Sequence, residues 1–407
     1  MSINVLYSAG MYSVGGAEIL FASVFESKEL RQLRQAAVVT RRPHDEFIGL
    51  CTSSDNLIFG YNDSEESTQQ FGNVRIAKAW IQALIRHKPD IVMFWNEIPP
   101  AKIRWLIRVF SPKSKLVLYE HGKSWRRSKS EAITRGLNAL DAIIANSKAS
   151  EALLETKHAV RRTTHVVHNP IPSGRAPNSS ISRSLTEGQP IQLGLAGRLV
   201  PRKGVAAAVS ALQELHSRGV DCRLLIAGDG PYKETLHEFA NALGVAESCK
   251  WLGHVSDMAS FYDSVDVLLI PSLLEPFGLV SVEAQSRGVP VVVSRVDGLP
   301  ETVIDGATGI TVEPTIDVSD GEYDKWGAEA IPSSVFDPAI GSLRPARTVD
   351  PVKLADAVER IAGDSATYTR FSESASNHAL EKFTWGPYSD SFQSICASIV
   401  TTRQSKA

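Results

Sequence analysis

A chain of 407 residues, 43% hydrophobic and 22% charged, is long enough for two cores of ordinary size and too apolar for a disordered or collagen-like protein. Its net charge of −2 is unevenly spread: residues 1–172 hold 23 Lys and Arg against 16 Asp and Glu, which leaves about −9 for the rest. The four cysteines form no CxxC pair, no apolar run reaches 18 residues, and the start lacks a basic, apolar leader, which argues against a disulfide scaffold, a zinc site, a membrane span and a secreted precursor and for a cytoplasmic protein.

In chain order, short β-branched runs alternate with helical patterns. The first half predicts strands at Ile3–Tyr7, Ala36–Val39, Ile91–Trp95, Lys115–Tyr119, Ala142–Ala145 and His165–His168. Helical patterns fall at Ala17–Phe25, Ala101–Phe110 and Ser147–Thr156, with Ser147 as N-cap of the last. From Pro170 to Pro190 the sequence turns rich in Pro, Ser, Gly and Asn without periodicity, which reads as a linker. A second series follows, with strands at Ile191–Ala196, Leu224–Ala227, Cys249–Trp251, Val267–Ile270, Val289–Val293 and Gly309–Val312. Its helices are expected at Gly204–Ser217, Pro231–Leu243 and Leu279–Ser286. Residues 315–350 break the rhythm with an acidic insertion that reads as solvated loop, since Asp317, Asp320 and Asp324 fit no calcium-loop register. Helices near Val352–Ala362 and Ala366–Lys382, and a last one from Trp385, close the chain. This βαβ rhythm implies two parallel sheets covered on both faces. The expected division is 1–172, a linker at 173–190, 191–384, and a terminal helix at 385–407.

Four segments carry chemistry. Gly15-Gly16-Ala17-Glu18 follows the first strand, where bare backbone admits a phosphate or sugar, although no third glycine makes it a dinucleotide fingerprint. His121 ends a strand in Tyr-Glu-His-Gly-Lys, either as a site residue or as a hydrogen-bonded turn residue. Gly197-Arg198-Leu-Val-Pro-Arg-Lys203-Gly204 joins a strand to a helix and offers a forked guanidinium and a mobile ammonium for a diphosphate. Glu275-Pro-Phe-Gly278-Leu279-Val280-Ser-Val-Glu283 sets two carboxylates eight positions apart around a helix start, whose N–H groups can meet a leaving phosphate. Read singly, Glu275 could be a cap and Glu283 solvated surface. No HExxH, GxSxG, Walker A or strand-end Asp-x-Asp occurs, so nothing suggests a metal-chelated diphosphate.

Together the last two segments resemble the retaining glycosyltransferases of family 4 (glycosyl transferases group 1), as does the stretch Gly298-Leu-Pro-Glu-Thr-Val-Ile-Asp-Gly-Ala-Thr-Gly-Ile310. The resemblance implies the GT-B fold: two doubly wound Rossmann-like domains facing a central cleft, with a last helix that crosses back to the first domain. It implies that Arg198 and Lys203 hold the donor diphosphate, that Glu283 takes the ribose hydroxyls, that Glu275 lies by the sugar ring or the acceptor, and that His121 lies by the transferred sugar. Gly278, Leu279 and Val280 would meet the leaving phosphate, Gly16 the donor phosphate or the acceptor, and Val255 would pass the base. The implied activity is a metal-independent, retaining transfer of a hexose from a nucleoside diphosphate-sugar to a glycan or lipid-linked acceptor, with no cofactor and no nucleic-acid partner. Lipopolysaccharide, capsule or exopolysaccharide assembly is the natural setting. Trp105, Leu106 and Phe110 beside Arg104 and Arg108 would suit contact with the inner membrane, or would be the core face of an ordinary helix. The rival readings are a sugar-nucleotide epimerase or phosphorylase on the same fold, and a non-catalytic sugar-binding or scaffold relative.

Overall fold

Continuous apolar runs such as Ile91–Trp95, buried at all five positions, become central strands of parallel sheets, since only a sheet covered on both faces hides consecutive side chains. The computed structural model describes residues 2–12, 15–60, 69–126, 130–318 and 334–402. The chain divides into two compact units, Met1–Pro172 with Trp385–Ala407, and Ser173–Thr384.

The first unit holds β1 (Ile3–Ala9), β2 (Leu33–Val39), β3 (Leu57–Phe59), β4 (Ile91–Trp95), β5 (Lys115–Glu120), β6 (Ala142–Ala145) and β7 (Thr164–Val166). They form one parallel sheet in the order β3-β2-β1-β4-β5-β6-β7, with Val5 opposite both Gln35 and Ile91. The helix Gln69–His87, which the sequence reading had not anticipated, covers one face through Ala79, Trp80, Ala83 and Leu84. The other face is covered by the helix Gly16–Glu26 and by the last helix, Trp385–Thr401. Tyr388, Phe392, Cys396 and Ile399 of that last helix share a core with Tyr7 and Tyr119.

The second unit holds β8 (Ile191–Ala196), β9 (Cys222–Ala227), β10 (Cys249–Gly253), β11 (Val267–Ile270), β12 (Val291–Ser294) and β13 (Gly309–Val312), parallel in the order β10-β9-β8-β11-β12-β13. The strand order reverses between β1 and β4 in one sheet and between β8 and β11 in the other. At such a switch point the connections leave in opposite directions and open a crevice beyond the carboxyl ends of the strands. Two Rossmann-like units of this kind are the expected fold class.

Residues 173–190, which hold no helix or strand, lie along the second unit, where their N–H groups find hydroxyls on the helix Ser365–Lys382: Ile181 donates to Ser376 Oγ and Arg183 to Ser372 Oγ, each at 2.9 Å. One expectation is corrected. The insertion 315–350 is not simply solvated loop. β14 (Pro314–Asp317) pairs antiparallel with β17 (Arg347–Val349), and β15 (Val335–Asp337) with β16 (Ser342–Arg344). Val335, Phe336 and Asp337 are buried, and Asp317 is paired with Arg347. Asp320 and Asp324 lie outside the described residues.

Candidate active site

In the second unit the site grows from the switch point. After β8, Gly197 turns the chain and a short 3-10 turn, Pro201–Lys203, precedes Gly204. Gly204 has φ 66°, and a Cβ there would lie 1.9 Å from the carbonyl oxygen of Pro271. No other residue fits, and this close approach locks the lysine loop onto the end of β11. Leu273 N–H donates to the Arg202 carbonyl at 2.8 Å and tightens the same seam. Lys203 Nζ thereby donates to Glu275 Oε2 at 2.6 Å, with both side chains largely buried. Arg198 is exposed and has no ion-pair partner among the described residues.

Glu275 precedes the start of the helix Leu279–Ser286, whose N-cap Gly278 has φ 100°. A Cβ on Gly278 would meet Leu299 Cδ1 at 2.5 Å and Glu275 Cγ at 3.6 Å, so the bare backbone keeps the helix start tight against Glu275. The first N–H groups of that helix, at Leu279 and Val280, have no intrahelical acceptor and carry the positive end of the helix dipole. Val255 follows β10 and packs, partly buried, on the core around Phe261 and Leu268.

Glu283 is less open than an acceptor of ribose hydroxyls would be expected to be. It is 3% exposed, and its carboxylate is taken up by Arg175 Nη1 at 3.0 Å and by the Tyr262 hydroxyl at 2.9 Å. Burial raises its pKa above the usual carboxylate value, and Arg175 and Tyr262 only partly offset that.

In the first unit the switch point carries different chemistry. Trp95, at the end of β4, donates from its indole N–H to the Ala17 carbonyl at 2.8 Å and so ties the Gly16 loop to the neighbouring strand end. His121 stacks on Trp95 with centroids 4.6 Å apart and lies 4.2 Å from the Tyr119 ring. Burial of the ring lowers the His121 pKa to about 3, so the imidazole is neutral at pH 7. Both ring nitrogens are buried and meet no hydrogen-bond partner among the described residues. Asn96 Oδ1 accepts the His121 N–H at 3.0 Å, and buried Glu120 accepts the N–H groups of Gly122 and Ser124. The loop that presents the imidazole is therefore fixed through its backbone N–H groups by the side chains of Asn96 and Glu120.

The structure brings Lys203, Glu275 and Gly278 together and sets Gly16 and His121 at one strand-end region of the other unit. Two family models match in tandem: Glycosyltransferase Family 4 over residues 56–175 and Glycosyl transferases group 1 over residues 179–321. The chain belongs to the group 1 glycosyltransferases of the GT-B fold. Among relatives of this glycosyltransferase, the GDP-mannose-dependent alpha-(1-6)-phosphatidylinositol monomannoside mannosyltransferase of Mycolicibacterium smegmatis is 42% identical over 127 residues, 29% of this chain and 33% of that one. The D-inositol 3-phosphate glycosyltransferase of Corynebacterium diphtheriae is 31% identical over 207 residues, 49% of this chain and 40% of the other. The matches thus span about a third of the first curated relatives' length. HepE of Anabaena, solved with UDP and glucose, superposes with a TM-score of 0.69 at 18% identity, covering 97% of this chain and all of its own. That likeness is one of fold.

Sequence reasoning missed Arg175, Tyr262, Asn96 and Asp297. Arg175 stands in an aperiodic stretch and Tyr262 reads as core, so neither carries a local signal. Asp297 had one: it precedes Gly298 in the family-like stretch, but nothing in one sequence says that it adopts φ 48°.

Proposed function

We propose that this glycosyltransferase moves a hexose from a nucleoside diphosphate-sugar to a hydroxyl of a glycan or lipid-linked acceptor, with retention and without a metal. The observation that carries the reading is the Lys203–Glu275 pair, held by the Gly204 seam beside a helix N-terminus at the switch point of the second sheet. A cation, backbone N–H groups and a carboxylate at one spot suit a diphosphate joined to a hydroxyl-rich sugar. Arg198, exposed beside them, adds a guanidinium for the same phosphates. Likeness to a GDP-mannose-dependent transferase, and to HepE solved with UDP and glucose, supports a nucleotide-sugar donor.

In this reading the bond from the sugar C1 to the β-phosphate oxygen breaks as C1 bonds to the acceptor oxygen on the same face. The acceptor's proton passes to the departing phosphate. Lys203, Arg198 and the N–H groups of Leu279 and Val280 stabilise the charge on the leaving group, which is why no metal is required. Lys203 then exchanges part of its contact with Glu275 for phosphate, which frees Glu275 to meet the sugar. Neutral His121 can hydrogen-bond a sugar hydroxyl without carrying charge. Polysaccharide or glycolipid assembly in the cytoplasm is the setting that fits such an acceptor.

The test is calorimetric titration with UDP and GDP, followed by transfer assays from UDP-glucose, UDP-galactose and GDP-mannose in excess EDTA. Tight binding of one nucleotide and EDTA-resistant turnover of its sugar are expected. Turnover that EDTA abolishes and magnesium or manganese restores would overturn the metal-free mechanism. Nucleotide binding with sugar epimerisation or phosphorolysis in place of transfer would favour the rival enzymatic readings.

A further inference from the structure

The insertion reaches the Glu275 backbone through one buried carboxylate. Asp297 is fully buried and adopts φ 48°, a left-handed conformation that side-chain-bearing residues seldom take. Its Oδ2 accepts the Glu275 N–H at 3.0 Å, and its Oδ1 accepts the Phe336 N–H at 2.7 Å. Its own N–H donates to the Phe336 carbonyl at 2.9 Å, and the next N–H, from Gly298, donates to the Glu275 carbonyl at 3.2 Å. Glu275 is thus held through both its N–H and its C=O by two consecutive residues. One of those residues is held in turn by β15.

β15 is itself braced. It pairs with β16, and Arg344 Nε of β16 donates to the buried Asp337 Oδ2 at 2.7 Å. The direction of the Glu275 side chain follows from the orientation of its backbone. Its carboxylate must reach a lysine only 2.6 Å away, so small rotations there move the charge relative to any bound sugar.

We propose that Asp297 is a positioning residue for Glu275, and that the hairpin Val335–Arg344 is the arm that holds Asp297 in place. The insertion therefore tunes turnover and leaves nucleotide affinity alone. This inference rests on the reading of Glu275 as acting at the sugar. A simple packing role predicts something else: loss of stability, with turnover and affinity falling together as the folded fraction falls.

Three variants separate these. Asp297→Gly removes the carboxylate while tolerating the left-handed backbone. Asp297→Asn keeps one acceptor oxygen of two. Arg344→Met loosens the hairpin at a position remote from Glu275 in sequence. Asp297→Gly should lower kcat about 10- to 100-fold, the scale expected when a catalytic group is displaced by up to an ångström. Its Kd for UDP or GDP, whichever the wild type binds, should stay within about threefold. Asp297→Asn should restore part of kcat, and Arg344→Met should show a smaller loss of the same kind. Amide hydrogen exchange should quicken at Glu275 and Phe336 together in Asp297→Gly.

Unchanged kcat in Asp297→Gly, or affinity falling in step with kcat, overturns the proposal. Should Asp297→Gly not fold, Arg344→Met decides by the same split between kcat and Kd. A wild type that binds neither nucleotide and transfers no sugar refutes the functional reading itself. The clamp is then decided by exchange alone, and independent behaviour of Glu275 and Phe336 would overturn it.

Discussion

The two switch points occupy equivalent places in two similar sheets and carry different chemistry. Beyond β8 and β11 the side chains are charged and paired: Lys203 on Glu275, Arg175 on Glu283, with Arg198 exposed. At the ends of β4 and β5 an aromatic cluster stands out, Trp95, Tyr119 and a neutral His121, beside one ion pair between Glu97 and Lys123 at 2.6 Å. In the charged cluster the side chains pair with one another, whereas the rings of Trp95 and Tyr119 are buried and serve to pack His121 in place. Equal folds therefore do not imply equal tasks, and the chemistry lies in the loops that the strands present.

That contrast can be broken most severely at Arg175. Its replacement by Ala leaves the Glu283 carboxylate buried with only Tyr262. Breaking a buried pair in this way costs about 3 kcal/mol, the low end of the usual range because the Arg175 side chain is 27% exposed. Glu283 can instead take up a proton, so the loss should shrink as pH falls from 7 to 5. Urea denaturation at both pH values measures it. A loss under about 1 kcal/mol at pH 7 would mean that Arg175 is merely resting on Glu283.

Next in size is the pair of cations. Arg198→Ala and Lys203→Ala should each weaken nucleoside diphosphate binding by about 1.5–3 kcal/mol, the range for hydrogen bonds to charged groups. They should differ in stability. Arg198 is exposed, so its loss should leave Tm unchanged, while loss of Lys203 leaves the largely buried Glu275 without its partner. Identical effects of both variants on Tm, or undiminished affinity in either, would refute the assignment.

The charged site was the more legible of the two. Glycines and cations at fixed spacing around a strand end stand out in one dimension, as Gly197, Arg198, Lys203 and Gly204 do. Strands such as Ile91–Trp95 were equally plain, because burial on both faces demands an unbroken apolar run. What stayed hidden depends on distant pairing. Arg175 meets Glu283 across 108 positions, and Asp297 meets Phe336 across 39. The helix Gln69–His87 escaped notice because polar residues dominate its first turns and leave the apolar face weakly marked. The hairpin of the insertion escaped because its strands are only three residues long.

The neutral side of the comparison can be sharpened through His121. Its folded pKa of about 3 lies below the ordinary value of 6.5, so between these values the unfolded chain binds the extra proton. Stability is then fully present above pH 6.5 and is lost as pH falls toward 3. The expected loss between pH 7 and pH 5 is about 2 kcal/mol for this one group. His121→Phe keeps a ring for stacking and does not titrate, so its stability relative to wild type should rise by that amount over the same interval. A difference that does not change with pH would show that the imidazole titrates alike in the folded and unfolded chain.

The smallest expected effect concerns the helix Ala101–Phe110. The structure divides its apolar residues: Leu106 and Ile107 enter the core, while Trp105 is 63% exposed, Val109 50% and Phe110 40%. Its arginines are engaged by the protein, since Arg104 donates to the Pro99 carbonyl at 2.6 Å and Arg108 pairs with Asp141 at 2.9 Å. Any attraction of this helix to a membrane surface must then rest on the apolar residues more than on charge. Replacing Trp105 with Ser should weaken binding to phosphatidylglycerol-containing vesicles by about 1 kcal/mol, a fraction of full side-chain burial. Salt should change that difference little, because the lost contact is not ionic. Tm should hold, since the side chain supports no core. Co-sedimentation of wild type and variant at low and high salt reads all of this. Equal sedimentation of the two would return Trp105 to ordinary surface, and a steep salt dependence would move the contact to the exposed lysines Lys102 and Lys113.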